Sequence, residues 1–330
     1  MRHALLLAAS LFALIPAARA ADVKPAIVFD TGGKFDKSFN EGVDDGAKRF
    51  TKATGIEVRD FEPQNDSQRE QALRKFAKAG SDPILAVGFA MATAVTDVSK
   101  EFPKTRFVII DSVVDAPNVQ SIVFHEEQGS YLAGVLGALS AGGGKLGFIG
   151  GMDVPLIRRF ACGYVQGAKS VTPDIEVLQN MTGTTGAAWN DPVRGGELAR
   201  SQIERGANVV FQAAGGTGIG VLQTTADAGK LGIGVDSNQN DLHPGHMLTS
   251  MLKRVDVATE GAFNAAKDGT WKPGVTTLGL AQNGVALAFD AENAPLVPPN
   301  AKARVMQAAA DIVSGKVIVH DYVADNSCPN

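Results

Sequence analysis

Short apolar runs recur along the chain, each closing on glycine or aspartate: "AIVFD" (26–30), "ILAVG" (84–88), "FVIID" (107–111), "KLGFIGG" (145–151), "VVFQAAGG" (209–216) and "LGIGVD" (231–236). They are rich in β-branched residues and do not alternate with polar ones, which is the pattern of strands covered on both faces. Segments of helical period separate them. Strand followed by helix followed by strand predicts parallel sheets with right-handed crossovers, an α/β fold.

The pattern occurs twice. Residues 39–48 read F-N-E-G-V-D-D-G-A-K and residues 160–169 read F-A-C-G-Y-V-Q-G-A-K, with Phe, Gly, Gly, Ala and Lys at the same spacing. Ile56-Glu57-Val58 answers Ile175-Glu176-Val177 as the start of a further strand, and Asn65-Asp66 answers Asn190-Asp191 as a helix opening. Asp111-Ser112 answers Asp236-Ser237 at the end of a third strand. Matches in the same order predict two copies of one β-α-β-α-β unit, hence two lobes. In the first copy, Ser38 and Glu41 fit a capping box for a helix that runs to about Ala53 and stops at Gly55. Gly42 and Gly46 share one face of that helix, where small residues permit close packing of helix on sheet.

Open α/β sheets bind ligands beyond the carboxyl ends of their strands. Two lobes facing each other place those ends around a cleft. Lobe one then contributes Asp30, the loop from Thr31 to Asn40, Gly88-Phe89 and Asp111-Ser112; lobe two contributes Gly150 to Asp153, Trp189 to Asp191, Gly215 to Thr217 and Asp236 to Asn238. Carboxylates, amides, glycines and aromatics dominate this set, and it holds little positive charge apart from Arg158 and Arg159. Such a lining suits a neutral ligand with hydroxyls and a flat ring better than phosphate or a free carboxylate.

The chain is 330 residues long with a formal charge of −4 and 45% apolar residues, enough for a core in each of two domains. No basic stripe is present, so a nucleic-acid partner is not expected. Arg2 and His3, the apolar run Ala4 to Ile15 and then Ala18-Arg19-Ala20 read as a secretory signal peptide over residues 1–20. Ala21 rather than cysteine follows the expected cut, so the mature chain is expected to be soluble and without a lipid anchor. Cys162 and Cys328 could pair in an oxidising compartment, the alternative being two buried or idle thiols.

Enzyme signatures are weak. "TGGKFDKS" lacks P-loop spacing, "GGTGIG" (215–220) is not a dinucleotide fingerprint, and no G-x-S-x-G elbow occurs. His243-Pro-Gly-His246 reads as a turn rather than a metal pair, since no cysteine or carboxylate cluster adjoins it. Asp30, Asp111 and Asp236 could in principle run glycosidase chemistry, but in an exported two-lobed protein they more simply accept hydrogen bonds from a ligand. No catalytic, metal or cofactor residue is assigned.

The blocks "DTGGKFDKSFNEG", "GSYLAG", "GFIGGMDVPLIRRF", "AAGGTG", "GVDSNQND" and "LTSMLKRVDVA", spread over residues 25 to about 290, resemble the basic membrane protein family. These solute-binding proteins are the purine nucleoside receptor-like components of ABC importers. The resemblance implies a type I periplasmic binding protein: two Rossmann-like lobes with parallel sheets, joined by a three-segment hinge. Lobe one would hold residues 21–125 and about 252–282, and lobe two 126–251 and about 283–330. It implies a purine base between two aromatic rings, one of them Phe39. The second is expected to be Trp189, on a cleft loop, with Phe211, inside a strand, as the alternative. Asp30, Asn40 and Asp111 would bond the base or fix its neighbours, Gly215 would line the site, and Asp236 with Lys253 would hold the ribose hydroxyls. The implied partners are a purine nucleoside and an inner-membrane ABC permease, for a monomer in the periplasm of a Gram-negative cell. Alternatives are a receptor for a free purine base or a sugar-like ligand, or a periplasmic nucleoside-processing enzyme.

Overall fold

The structure, a computed structural model, describes residues 23–329; the expected signal peptide lies outside them. Two six-stranded sheets form the two lobes. The first contains β1 (Ala26–Val28), β2 (Arg59–Phe61), β3 (Ile84–Ala86), β4 (Phe107–Ile110) and β5 (Val119–Phe124), in the order β5-β4-β3-β1-β2. The second contains β6 (Lys145–Met152), β7 (Val177–Gly183), β8 (Ala207–Ala213), β9 (Leu231–Asp236) and β10 (Met247–Lys253), in the order β10-β9-β8-β6-β7. The two orders are the same doubly wound arrangement, as the repeat in the sequence predicts.

Each sheet gains a sixth strand late in the chain. β11 (Gly274–Leu278) adds to β5 in parallel, and β12 (Val285–Leu287) adds to β10 in antiparallel. The chain therefore passes between sheets three times: after Phe124, after Lys253 and between Leu278 and Val285. Strands β1, β3 and β4 are buried at every residue, as their unbroken apolar runs require. One expectation shifts. Ile56-Glu57-Val58 is not in a strand; pairing begins at Arg59, whose N–H meets Pro25 O at 3.1 Å, because its partner β1 begins only at Ala26.

The first helix, α1 (Phe39–Thr54), ends at Gly55 in the left-handed region. Its Gly42 and Gly46 face a helix rather than a sheet. A Cβ on Gly46 would lie 2.3 Å from Asp256 O, and one on Gly42 2.9 Å from Val255 Cγ2. Both contacts belong to α8 (Val255–Lys267), the helix that follows the second passage between sheets. The other lobe repeats the device. Gly163 and Gly167 of α5 (Pro155–Val171) press on Glu127 O and Tyr131 O of α4 (Glu126–Ser140), at 2.4 and 1.9 Å for their imagined Cβ atoms. In each lobe a glycine-faced helix thus packs backbone to backbone against the helix that returns from the other lobe.

The last helix, α9 (Ala301–Val313), packs on α4. The tail then crosses α5, where Gln166 exchanges hydrogen bonds with His320 N and O at 2.9 and 3.0 Å. Cys162 and Cys328 form a disulfide, their Cα atoms 5.6 Å apart.

Candidate functional site

The carboxyl ends of β1, β3, β4, β6, β8 and β9 turn toward one cleft between the lobes. All eight residues singled out by the sequence, Asp30, Phe39, Asn40, Asp111, Trp189, Gly215, Asp236 and Lys253, line it. So do Asp36, Phe89 and Phe160. Phe211 does not: it is fully buried against Phe148 and Tyr164, with ring centroids 5.5 and 5.2 Å away.

The loop after β1 is built around Asp36. Its carboxylate accepts from Ser38 N–H (2.9 Å), Asn40 N–H (3.0 Å), Asn40 Nδ2 (3.0 Å) and Glu41 N–H (3.1 Å). The capping box expected at Ser38 and Glu41 is absent. The Asp36 carboxyl, two residues upstream, takes the orphan amides of the helix start in place of the Ser38 hydroxyl. Glu41 reaches back to Lys37 instead, accepting from its N–H at 3.2 Å and from its Nζ at 3.1 Å. The Ser38 hydroxyl is thereby left for the opposite lobe, where it donates to Asp236 Oδ2 at 2.6 Å. Asn40, pinned on Asp36, accepts from Asp30 N–H at 3.1 Å and so fixes the end of β1.

Asp30 is buried beside Arg69, at 3.3 Å, and burial holds its carboxyl above the usual range although Thr31 N–H and Arg69 work against the shift. Gly88, at φ 92°, stands next to it; a Cβ there would lie 2.9 Å from Asp30 Oδ2. Asp111 and Asp236 end matched strands and share an unusual backbone, φ 69° and 63°. Left-handed aspartates at two equivalent strand ends aim both carboxylates into the cleft.

Lys253 is the cation that lines the cleft. Its Nζ lies 2.6 Å from Asp111 Oδ2 and 2.8 Å from Glu126 Oε1, and its side chain is only 2% exposed. Phe39, Phe124 and Phe160 surround it, with ring centroids 5.2, 5.1 and 5.7 Å from Nζ. Burial alone would lower its pKa; Asp111, Glu126 and Asp236 together raise it, so Lys253 is charged. Burial raises Asp111 despite Lys253. Burial also pushes Asp236 up to about 7, against the pull of Lys253 and the Ser38 hydroxyl. Asp111 Oδ1 is buried with no hydrogen-bond partner among the described residues, an acceptor available to a ligand.

The arginines expected to colour the cleft do not line it. Arg158 forms two 2.8 Å bonds to Asp153. Arg159 turns to Glu126 and Asp321. Fixed carboxylates nearby draw both guanidinium groups away from the opening.

On the other wall Trp189, half-buried, stands over Gly151, where a Cβ would lie 2.3 Å from Trp189 Cζ3. Its ring meets Phe89 edge to face, centroids 6.5 Å apart and planes at 64°. Among the described residues no group of histidine, cysteine, aspartate and glutamate is disposed to hold a metal. Nor is any helix long and apolar enough to cross a membrane.

All three additional lining residues had a signal in the sequence, and Phe89 stood among the expected cleft residues beside Gly88. Phe160 occupies the repeat position of Phe39, and Asp36 stands two residues before the expected N-cap. Glu126 had none, because only the third dimension brings the start of α4 to the end of β10.

The model of one protein family, ABC transporter substrate-binding protein PnrA-like (Bmp), matches residues 23–321. The chain belongs to the Bmp family. Among its relatives, the ABC transporter nucleoside-binding protein BmpA of Lactococcus lactis subsp. cremoris is 32% identical over 321 residues, covering 90% of this chain and 89% of the relative. An uncharacterized lipoprotein of Pyrococcus horikoshii is 35% identical over 279 residues, 80% of this chain and 68% of the relative. An ABC transporter solute-binding protein from Aeropyrum pernix superposes with a TM-score of 0.82 at 26% identity, over 91% of this chain and 93% of that one. This Bmp protein therefore has the fold of type I periplasmic solute-binding proteins and is an ABC transporter substrate-binding protein by family.

Proposed function

We propose that this Bmp-family chain binds a purine nucleoside between its lobes and delivers it, as a soluble periplasmic monomer, to an inner-membrane ABC permease. The observation that carries the reading is the pairing of two chemistries in one cleft. Phe39, Phe89, Phe160 and Trp189 offer flat apolar surface, while Asp30, Asp111 and Asp236 offer carboxylate oxygens around one buried lysine. A heteroaromatic base has faces for the first and ring N–H groups for the second; ribose hydroxyls donate to carboxylates as well. A phosphate would meet these carboxylates against a single cation already shared by Asp111 and Glu126. The nucleoside-binding relative points the same way. In the mechanism we favour, ligand bridges the lobes across the three passages and stabilises the closed form, which the permease reads.

A thermal-shift screen of the purified protein against nucleosides, nucleobases, sugars, amino acids and nucleotides tests the reading. At 100 times Kd a ligand adds roughly 2.7 kcal/mol. Guanosine, inosine or adenosine should stabilise, and the matching 5′-monophosphates should not. Stabilisation by sugars or free bases but by no nucleoside would refute it, and recovery of the nucleoside as base plus ribose would show an enzyme instead.

A further inference from the structure

The charges behind Lys253 do not stop at its two carboxylates. Glu126 is fully buried at the first passage between lobes, with Oε1 on Lys253 and Oε2 on Arg159 Nη1 at 2.8 Å. Arg159 Nη1 also donates to Phe124 O at 3.0 Å, the last residue of β5. The rest of the guanidinium turns outward, and Nε and Nη2 make a two-pronged contact with Asp321, at 2.7 and 2.9 Å. Asp321 belongs to the tail that Gln166 and the Cys162–Cys328 bond hold on α5. A continuous line of charge-assisted contacts therefore runs from Asp111 in lobe one, through Lys253 and Glu126 at the passages, to Arg159 and the tail.

Each member of that line is constrained by the next. Glu126 held only by Lys253 could rotate away or draw the ammonium toward α4. Arg159 prevents this by fixing the second oxygen and the carbonyl beside it. Arg159 in turn is flexible on three methylenes, and a planar fork is fixed best by a bidentate carboxylate. Asp321 supplies that carboxylate from the far side, with its side chain still about one-third exposed (31%).

We infer that Arg159 and Asp321 are positioning residues for Lys253, and that the C-terminal tail is thereby part of the ligand-binding apparatus. The inference rests on the proposed nucleoside site for its affinity readout but not for its chemical one. Asp321→Asn removes the charge from the exposed end of the line and touches neither the cleft nor the core. In the full-length disulfide-bonded protein it should weaken guanosine binding roughly 2- to 30-fold, the span of couplings carried through such networks. Asp321→Glu, which can still take both prongs, should bind as the wild type does. The second readout needs no ligand: acylation of lysines by an amine-reactive reagent, followed by peptide mapping. Lys253 should resist in the wild type and in Asp321→Glu. It should react faster in Asp321→Asn, while Lys302 on α9 keeps its rate. Faster acylation of Lys253 confined to Asp321→Asn supports the inference even if guanosine fails to bind, a failure that would count against the proposed function alone. An unchanged Lys253 rate in Asp321→Asn overturns it.

Discussion

Replacing Lys253 by methionine isolates the central electrostatic feature of this protein. Methionine keeps much of the length and the apolar contact with Phe39, Phe124 and Phe160 but removes the ammonium. Glu126 would retain Arg159; Asp111 would be left buried, its Oδ1 already without a partner. Breaking a buried ion pair from one side typically costs about 3 to 5 kcal/mol. For a lobe of this size each kcal/mol lowers Tm by roughly 2 to 4 °C, so a loss of roughly 6 to 20 °C is expected by calorimetry at pH 8. The pH dependence fixes the cause. Asp111, raised by burial in the wild type, rises further once Lys253 is gone. An acid whose folded pKa exceeds its unfolded value contributes stability at low pH that is lost as pH rises through the folded pKa. The deficit of Lys253→Met should therefore shrink as pH falls from 8 toward 5, and adding Asp111→Asn should recover part of it at pH 8. A loss of about 1 kcal/mol or less, the range of exposed pairs, or a deficit that grows in acid, would refute the reasoning.

Phe39→Ala and Trp189→Ala should each weaken guanosine binding at least tenfold with little loss of Tm. Phe211→Ala should instead cost about 3 to 5 kcal/mol of stability, because its ring sits in the core against Phe148 and Tyr164. Gly167→Ala should destabilise by roughly 1 to 3 kcal/mol, since its Cβ would meet Tyr131 O at 1.9 Å. Gly261→Ala, in a helix with open space beside it, should stabilise by about 0.5 to 1 kcal/mol, both read by urea denaturation. Asp236→Asn should stabilise the ligand-free protein at pH 8 and make little difference near pH 4, because the wild-type carboxyl, with a pKa of about 7, is penalised by burial only when ionised; the same variant should bind guanosine more weakly. Alkylation without reductant should find no free thiol, and Cys328→Ser should lower stability by about 2 to 5 kcal/mol.

The sequence carried the architecture because the chain states it twice. The matched blocks at Phe39 and Phe160, and the matched Asp-Ser pairs after β4 and β9, suffice for two lobes with parallel strands whose carboxyl ends face a common cleft. Asp30, Asp111 and Asp236 follow from that rule alone. The partners of those residues were less legible. A capping box is a local pattern, and Asp36 overrides it by placing a carboxylate where four donors converge. Arg158 and Arg159 looked available because nothing local announces Asp153 or Asp321 as partners; Arg159 and Asp321 stand 162 positions apart. Glycines at helical spacing announced close packing but not that the neighbour is the helix returning from the other lobe.

Duplication explains the scaffold, and the departures from it explain the site. Asp111 and Asp236 occupy equivalent strand ends with the same left-handed backbone, yet Lys253 grips the first and only the Ser38 hydroxyl the second. One is thus held as half of an ion pair while the other meets a neutral hydroxyl donor, and burial raises both carboxyls. Phe39 and Phe160 likewise occupy equivalent positions and flank the same ammonium from opposite lobes. After β1 the chain presents Asp30, braced by Arg69 and Asn40; near the end of β6 it presents Gly151, bare enough for the Trp189 ring to lie on it. A pseudo-symmetric frame has in this way acquired two unlike halves, Asp30, Asp111, Phe39 and Phe89 on one side and Asp236, Phe160 and Trp189 on the other. A ligand that is itself symmetric would leave one half unused. On the proposed reading, a ligand that joins a flat ring to a hydroxylated one uses both, and does so when the two lobes close around it.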